Sequence, residues 1–310
     1  MNPEEKKDSL EDYLLGKVKK SGYPLEIDVS NILEDERFVV FNTQYYFDEE
    51  AQQGRDIDIY AIPIYEVDDR LLPLRLSTDL AIECKKSETH AWVFYTRPRI
   101  PMSSIYMRGQ FRTTVPESER NSTESFEWFL QQKCLVLHYD KFAKIAIAYD
   151  EIKKKKMDTE SGREKKDGSS RREIFEAINQ LVKFTSYEMH QTYERIAKAP
   201  QTYYREIITL FFPIIVFDGD MFEMFLDLGE PRLERRKHVI LGTHYRCPYC
   251  RNVESYTVDI VHRSHFKEFM RLWKMELDTT KQAMIRNHDE LLIKANEDRA
   301  KFTEEKSKHP

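Results

Sequence analysis

The spacing of apolar residues changes from helical to strand-like near residue 37, and this change constrains the fold more than any other feature of the chain. Before it, apolar side chains recur every three or four positions, which predicts a helix from Ser9 to Lys20, ended by Ser21-Gly22, and a second helix that starts near Pro24. After it, β-branched and aromatic runs predict strands with a turn at Gly54; these runs are 38–44, 57–65, 80–84 and 91–95. Helices followed by strands in this order predict an α/β domain whose sheet packs against its first helices.

The second half of the chain is predicted to return to helix and then to strand. Residues 152–173 contain almost no apolar side chains, which predicts a mobile loop or linker, whereas apolar spacing predicts a helix from Arg172 to Ala197. In FFPIIVFDGDMFEMFLD, two apolar runs flank Asp218-Gly219, which favours a strand hairpin over a second metal site formed by Asp218 and Asp220. The remaining predictions are a helix at 125–132, strands at 144–149, 239–244 and 256–261, and a helix from Ser264 onward.

These elements predict a division of the chain into three parts. Residues 1–150 form an α/β core with an insertion, and residues 151–172 form a mobile charged linker. Residues 173–310 either extend the sheet of the core or form an accessory domain. Of these two options, extension of the sheet is favoured.

Composition predicts a soluble chain from a reducing compartment. No stretch approaches the roughly 20 apolar residues that span a bilayer, and the start MNPEEKKDSLEDY lacks the apolar core of a signal peptide. Four scattered cysteines are too few for a disulfide framework. We therefore expect a cytoplasmic protein without a membrane partner. The net charge of -5 argues against nonspecific coating of nucleic acid, but a local basic cleft is compatible with it.

Two acidic residues and a lysine are placed where they can form a metal-assisted hydrolytic site. Asp58 lies in GRDIDIYA, and Glu83 and Lys85 lie in LAIECKKS, so all three fall at the ends of strands predicted to be neighbours. Carboxylates placed in this way can converge on one divalent cation, with the lysine ammonium beside it. Such a grouping suits the hydrolysis of phosphodiester bonds.

These residues resemble the PD-(D/E)xK phosphodiesterase superfamily, which includes restriction endonucleases and Mrr-like enzymes. Asp58 matches the acidic residue of the first strand, Glu83-Cys84-Lys85 matches the Glu-x-Lys of the second, and Glu26 corresponds to a helix glutamate that completes the metal site. The resemblance implies a restriction-endonuclease-like mixed sheet flanked by helices. It also implies Mg²⁺ or Mn²⁺ as cofactor and DNA as substrate, in restriction, phage defence or repair.

The resemblance covers roughly residues 8–95 and departs from the family pattern at one position. The proline that precedes the aspartate in the family is replaced by Ile57. Asp56 competes with Asp58 for the role of ligand, because side chains two positions apart on a regular strand point the same way. Asp58 is preferred because the residues that follow it match the family.

Further residues are candidates for contact with DNA. Lys86, Arg97 and Arg99 could contact phosphates, although Lys86 is expected to point away from Lys85. The chain is also a candidate homodimer, because an enzyme with one site usually needs two copies to cut both strands of a duplex.

Other chemical motifs receive less support from the sequence. Cys247 and Cys250 form a single Cys-x-x-Cys, which could bind Zn²⁺ or act as a redox dithiol, but two packed turn cysteines explain it as well. Neither a phosphate-binding Gly-x-x-x-x-Gly-Lys loop nor a Gly-x-Ser-x-Gly elbow is present. Two alternatives to a nuclease stay open: a catalytically silent nuclease-like module that binds nucleic acid or protein, and an interaction protein stabilised by zinc.

Overall fold

Helices pack on both faces of a mixed β-sheet. The computed structural model describes residues 9–64, 74–98, 111–113, 143–154, 172–197, 206–246, 248, 253–287, 289–290 and 293. Within them the helices are α1 (Leu10–Lys20), α2 (Tyr23–Asp35), α3 (Arg172–Ala197) and α4 (Arg263–Arg286). The strands are β1 (Phe38–Asp48), β2 (Gln53–Pro63), β3 (Leu74–Pro98), β4 (Phe111–Thr113), β5 (Lys144–Lys153), β6 (Glu206–Asp227), β7 (Glu230–Arg235), β8 (His238–Arg246) and β9 (Val253–His262).

Two hydrophobic clusters, one on each face, fix the sheet between its helices. Alternate residues of β3 show the two faces, since Leu80 and Ile82 belong to one cluster and Ala81 belongs to the other. The first cluster contains Leu25 of α2 and Phe266 of α4, with their helical neighbours, and the second contains the buried face of α3. The predicted α/β class is therefore confirmed.

The sheet joins the two halves of the chain. Its strand order is β1-β2-β3-β5-β8-β9-β6-β4, with β7 on β6 and an additional pairing of β3 with β6. β3, β6 and β9 run parallel, whereas β2 is antiparallel to β3. The strands that follow Phe211 thus extend the sheet that contains Asp58 and Glu83.

Two sequence predictions of separate strands are wrong because the strands continue through a local irregularity. The predicted strands 80–84 and 91–95 are one strand, β3, whose register with β6 shifts between Ser87 and Ala91. The predicted hairpin at Asp218-Gly219 is likewise absent, since β6 runs on to Asp227. Tertiary pairing with a long neighbouring strand overrides the local turn preference of Asp-Gly.

Gly219 shows why a glycine lies in a continuous strand. A Cβ at this position would lie 2.8 Å from the Ser87 carbonyl oxygen and 2.5 Å from Cζ of Phe217. Phe217 is itself fixed, because its ring stacks on Trp92 with centroids 3.8 Å apart. The glycine therefore permits close approach of β3 and β6 at the register shift.

Two smaller predictions also need correction. Gly54 lies inside β2 rather than in a turn, and the turn between β1 and β2 comprises residues 49–52. A Cβ on Gly54 would collide with the ring of Tyr45, so the glycine makes room for an aromatic side chain on the neighbouring strand. Residues 151–153 of the predicted linker belong to β5, which continues to Lys153; residues 155–171 and the predicted helix at 125–132 lie outside the described residues.

None of the helices in the described part of the chain is long and apolar enough to cross a membrane.

Candidate active site

The candidate site forms where β2 and β3 separate. The two strands pair from Ala61 with Leu80 to Ile59 with Ile82, and the pairing stops at the next position, Asp58. There the Asp58 carboxylate replaces the missing backbone partner, because its Oδ2 accepts the Cys84 N–H at 2.8 Å. Asp58 is thereby held between the two strands.

A backbone irregularity in the neighbouring strand β1 accompanies this separation. Thr43, which stands opposite Asp58, has no partner in the β1–β2 register and adopts a left-handed φ of 57°. On either side of Asp58, Ile57 and Ile59 belong to hydrophobic clusters on opposite faces of the sheet. The two-residue alternation is interrupted between Ile57 and Ile59, so the regular strand on which the expected common direction of Asp56 and Asp58 depends is not present there.

Glu83 and Lys85 lie on the same face of β3 and meet Asp58 there. The Lys85 Nζ lies 2.5 Å from Glu83 Oε2 and 3.8 Å from Asp58 Oδ2. About a quarter of the Asp58 and Lys85 side chains is exposed, at 25% and 26%, whereas Glu83 is completely buried. The group therefore has a solvent-facing side, formed by Asp58 and Lys85, and a closed side, formed by Glu83.

The packing around α3 explains the burial of Glu83. In the register with β6, Glu83 pairs with Ile215 and Lys85 with Phe217, and both β6 residues are fully buried in the cluster beneath α3. Glu83 Oε1 is inaccessible to solvent and has no hydrogen-bond partner among the described residues. A buried carboxylate oxygen without a partner costs free energy unless a donor or a cation reaches it.

Burial changes the pKa values of both Glu83 and Lys85. Burial raises the pKa of Glu83 to about 7, with a further contribution from the Asp58 charge and opposition from Lys85. Burial also disfavours the Lys85 ammonium, but the Glu83 and Asp58 charges outweigh it, so the pKa of Lys85 is raised. Lys85 therefore stays protonated at neutral pH, while Glu83 titrates in the same range.

Glu26 is close enough to interact with this group. It lies in the first turn of α2, where burial and the Asp58 charge raise its pKa and the Lys85 charge lowers it. Glu26 Oε1 is also 3.3 Å from the position that a Cβ on Gly22 would occupy. The charges of Asp58 and Lys85 therefore act on the helix glutamate, and its role as a metal ligand stays a prediction.

The described donor set is smaller than the metal site of Glu26, Asp58 and Glu83 that the family resemblance implies. Within the described part of the chain, no group of three or more His, Cys, Asp and Glu side chains has a geometry that could hold a metal ion. Mg²⁺, however, is commonly held by only one or two carboxylates together with phosphate oxygens and water. Asp58 and Glu83 supply two carboxylates, of which that of Asp58 is partly exposed to solvent, whereas the Glu83 Oε1 is inaccessible and has no hydrogen-bond partner among the described residues.

The alternative aspartate and the predicted DNA-contacting residues lie elsewhere. Asp56 is exposed, and its carbonyl oxygen accepts a hydrogen bond from Gln180 of α3. The Lys86 Nζ donates to the Lys19 carbonyl at 2.9 Å and pairs with Glu88, which ties β3 to the end of α1. Arg97 is exposed twelve positions beyond Lys85 on β3, roughly 40 Å along an extended strand. Arg99 lies outside the described residues.

The remaining motifs do not join the candidate site. Asp220 pairs with Lys154 at 2.7 Å and with Arg235, and Asp218 lies 3.5 Å from Arg263, so both acids of the Asp-Gly-Asp segment have cationic partners. Cys247 and Cys250 lie outside the described residues.

Sequence reasoning missed how Asp58 is anchored. Its anchor is the Cys84 backbone N–H, which has no signal in the side-chain sequence. The Cys84 thiol faces the opposite cluster, and burial together with the Asp58 charge raises its pKa well above the ordinary value, so it is a packing group.

Asp58, Glu83 and Lys85 together offer two carboxylates, one ammonium and access to solvent. Comparisons with models of protein families, with curated proteins and with solved structures found no match to this chain.

Proposed function

We propose that this chain is a metal-dependent nuclease that hydrolyses phosphodiester bonds of DNA at a site of the PD-(D/E)xK type. The observation that carries the proposal is the meeting of Asp58, Glu83 and Lys85, with Lys85 Nζ 2.5 Å and 3.8 Å from the two carboxylates. Glu83 is the group that a structural role explains least, because it is completely buried and only one of its two carboxylate oxygens has a partner, the Lys85 ammonium.

Asp58 and Glu83 are the proposed ligands of Mg²⁺ or Mn²⁺, and Glu26 is the proposed additional ligand from α2. A divalent cation at this position supplies Lewis-acid chemistry: it lowers the pKa of bound water and neutralises charge that develops on the scissile phosphate. Carboxylate oxygens are the ligands that both of these ions prefer.

Lys85 is the proposed electrostatic and positioning group. The charges of Glu83 and Asp58 keep its ammonium protonated, and about a quarter of its side chain is open to solvent. It can therefore donate hydrogen bonds to a phosphate oxygen or to the attacking water from a fixed position. Glu83, buried beneath α3, fixes the Lys85 Nζ from the closed side of the site.

The proposal extends to the fold and to the biological setting. A mixed sheet with α2 and α4 on one face and α3 on the other is compatible with a restriction-endonuclease-like core. Restriction, phage defence and repair are the settings that the resemblance suggests. A catalytically silent module that binds nucleic acid or protein is the main rival, because Lys85 already provides Glu83 with a charged partner.

A cleavage assay separates the nuclease from its rivals. Labelled single-stranded DNA, double-stranded DNA and RNA are incubated with the full chain in Mg²⁺, in Mn²⁺ and in a chelator. We expect cleavage of at least one DNA substrate with Mg²⁺ or Mn²⁺. We expect no cleavage with the chelator, because the proposed hydrolysis requires a bound divalent ion. If no substrate is cut, the silent module is favoured, and stoichiometric zinc in the same preparation supports the zinc-stabilised protein.

A further inference from the structure

Strand β7 lies at an edge of the sheet, and among the described residues it pairs on one side alone. It pairs antiparallel with β6, the strand that precedes it in the chain, and all six of its residues are exposed. Leu228 and Gly229 connect the two strands in a tight turn with φ of 51° and 89°, the left-handed values that a type I′ hairpin requires. An exposed edge strand of this kind presents backbone groups that can pair with another chain.

The hydrogen bonds to β6 show which backbone groups of β7 face outward. The Arg236 N–H, directly after β7, donates to the Met221 carbonyl oxygen at 3.0 Å, so the even-numbered residues bond to β6. Because the bonding direction alternates along a strand, the N–H and C=O groups of Leu233 and Arg235 point away from β6. The C=O of Pro231 points the same way, and a proline, which has no N–H, is typical of the outer side of an edge strand.

The charges of β7 are complementary to those of a second, antiparallel copy of β7. Arg232 and Glu234 flank Leu233, so pairing two copies about Leu233 places Arg232 of each copy opposite Glu234 of the other. The same register places Glu230 opposite Arg236. Arg232 and Glu234 are accessible for these contacts, at 62% and 48% exposure, although each also has a charged neighbour in its own chain. Opposite charges at directly facing positions stabilise a pair of strands.

The neighbouring registers of this pairing bring like charges together. A shift by two residues keeps each side chain on its own face of the sheet, so such shifts are the competing arrangements. Pairing about Arg232 places the two arginines opposite each other and Glu230 opposite Glu234, and pairing about Glu234 places the two glutamates opposite each other. Like charges that face each other directly destabilise a pair of strands. The charge pattern therefore favours the register centred on Leu233 and a second copy of this chain as the partner.

Apolar side chains and backbone donors fit the same register. Leu233 is 58% exposed and pairs with Met224 of β6, and Leu226, which pairs with Pro231, is 67% exposed. In the register centred on Leu233, the Leu233 side chains of the two copies face each other and join these apolar rows. Each Leu233 N–H can donate to the Leu233 carbonyl of the other copy, and each Arg235 N–H can donate to the Pro231 carbonyl. Both outward donors thus find an acceptor.

We propose that β7 is the interface of a homodimer in which two copies of β7 pair antiparallel about Leu233, so that the sheet continues from one chain into the other. A two-fold axis generates this arrangement, because a two-fold interface joins the same surface on both copies. The contact is one pair of short strands, and small interfaces form transient complexes, so the dimer dissociates on dilution. It does not depend on the proposed nuclease activity, and the two proposals can fail separately.

Reversal of single charges tests the interface and its register. In sedimentation of the full chain, the wild type is expected to show a monomer–dimer equilibrium with a dissociation constant on the order of 10 to 100 μM, weaker than for an interface of standard size. Arg232→Glu and Glu234→Arg each place like charges at both symmetric contacts, and each should raise this constant at least about tenfold. An equimolar mixture of the two variants restores opposite charges at both contacts, so it should associate about as tightly as the wild type.

A matched control and a second measurement separate this contact from a general effect of charge. Lys267→Glu on α4 reverses a charge at a position that is 69% exposed, and it should leave the dissociation constant unchanged. Hydrogen exchange of the wild type should slow at the Leu233 and Arg235 amides as the concentration rises. The Arg232 and Glu234 amides, which bond to β6, should be protected at every concentration.

The other outcomes overturn the proposal. A wild type that stays monomeric at millimolar concentration has no such interface, and a dimer that both single variants leave intact lies on another surface. A mixture of the two variants that stays monomeric, although each variant keeps the circular dichroism of the wild type, excludes the register centred on Leu233. Protection of the Leu233 amide that does not change with concentration shows that the edge of β7 is covered by its own chain.

Discussion

Asp58→Asn is expected to reduce the rate of DNA cleavage in Mg²⁺ by about a thousandfold or more while the chain remains folded. The reason is that the substitution removes a negatively charged ligand of the proposed cation but keeps a side-chain oxygen. That oxygen can still accept the Cys84 N–H, so the separated ends of β2 and β3 stay joined. Single-turnover cleavage rates, with circular dichroism and thermal unfolding of the same samples, measure both effects.

Two neighbouring substitutions provide matched controls for this prediction. Asp56→Asn changes the same type of residue in the same strand at an exposed position, and it should leave the rate within a few-fold of the wild type. Lys85→Ala should reduce the rate strongly, whereas Lys86→Ala should not, because Lys86 bonds the end of α1. Loss of activity in Asp56→Asn with retention in Asp58→Asn would transfer the ligand role to Asp56.

The burial of Glu83 is expected to make the stability of the metal-free protein depend on pH. Its folded pKa of about 7 lies above the ordinary glutamate pKa of 4.5, so the folded state binds the proton more tightly than the unfolded state. The resulting stability is present below pH 4.5 and is lost as pH rises through 7. A shift of this size corresponds to roughly 3 kcal/mol, since one pKa unit is about 1.4 kcal/mol.

Glu83→Gln isolates this contribution from the other titrating groups. Glutamine cannot ionise, so the free energy of unfolding of the wild type should fall relative to that of Glu83→Gln by roughly 3 kcal/mol as pH rises through the Glu83 transition. Chemical denaturation at a series of pH values, in a chelator, provides the comparison. Parallel pH profiles for the two proteins would show that Glu83 ionises as freely in the folded state as in the unfolded chain.

Helices α1 and α3 could be predicted from the sequence, because the spacing of apolar residues and the residues that end a helix are local signals. The spacing in α1 and α3 and the Ser-Gly pair after Lys20 predict their bounds almost to the residue. The long strands could not be predicted in the same way. β6 continues through Asp218-Gly219 because Phe217 stacks on Trp92 of β3, a contact between residues 125 positions apart.

The candidate site was predicted in its residue types and order but not in its geometry. The sequence places Asp58 and Glu83 on neighbouring strands, and the structure brings them to a common lysine. The separation of β2 from β3 is accompanied by a left-handed Thr43 in β1, a backbone state that a threonine rarely adopts and that its sequence context does not signal. The complete burial of Glu83 depends on the packing of α3, which the chain reaches about 90 residues later.

Binding of Mn²⁺, measured by electron paramagnetic resonance at pH 8 without DNA, tests the central claim most directly, because it reports the ion rather than its chemistry. We predict one bound Mn²⁺ per chain in the wild type and in Asp56→Asn, and strongly weakened binding in Asp58→Asn and Glu83→Gln. Mn²⁺ binding that is absent from the wild type at millimolar concentrations, or that survives both Asp58→Asn and Glu83→Gln, would contradict a metal site at these carboxylates.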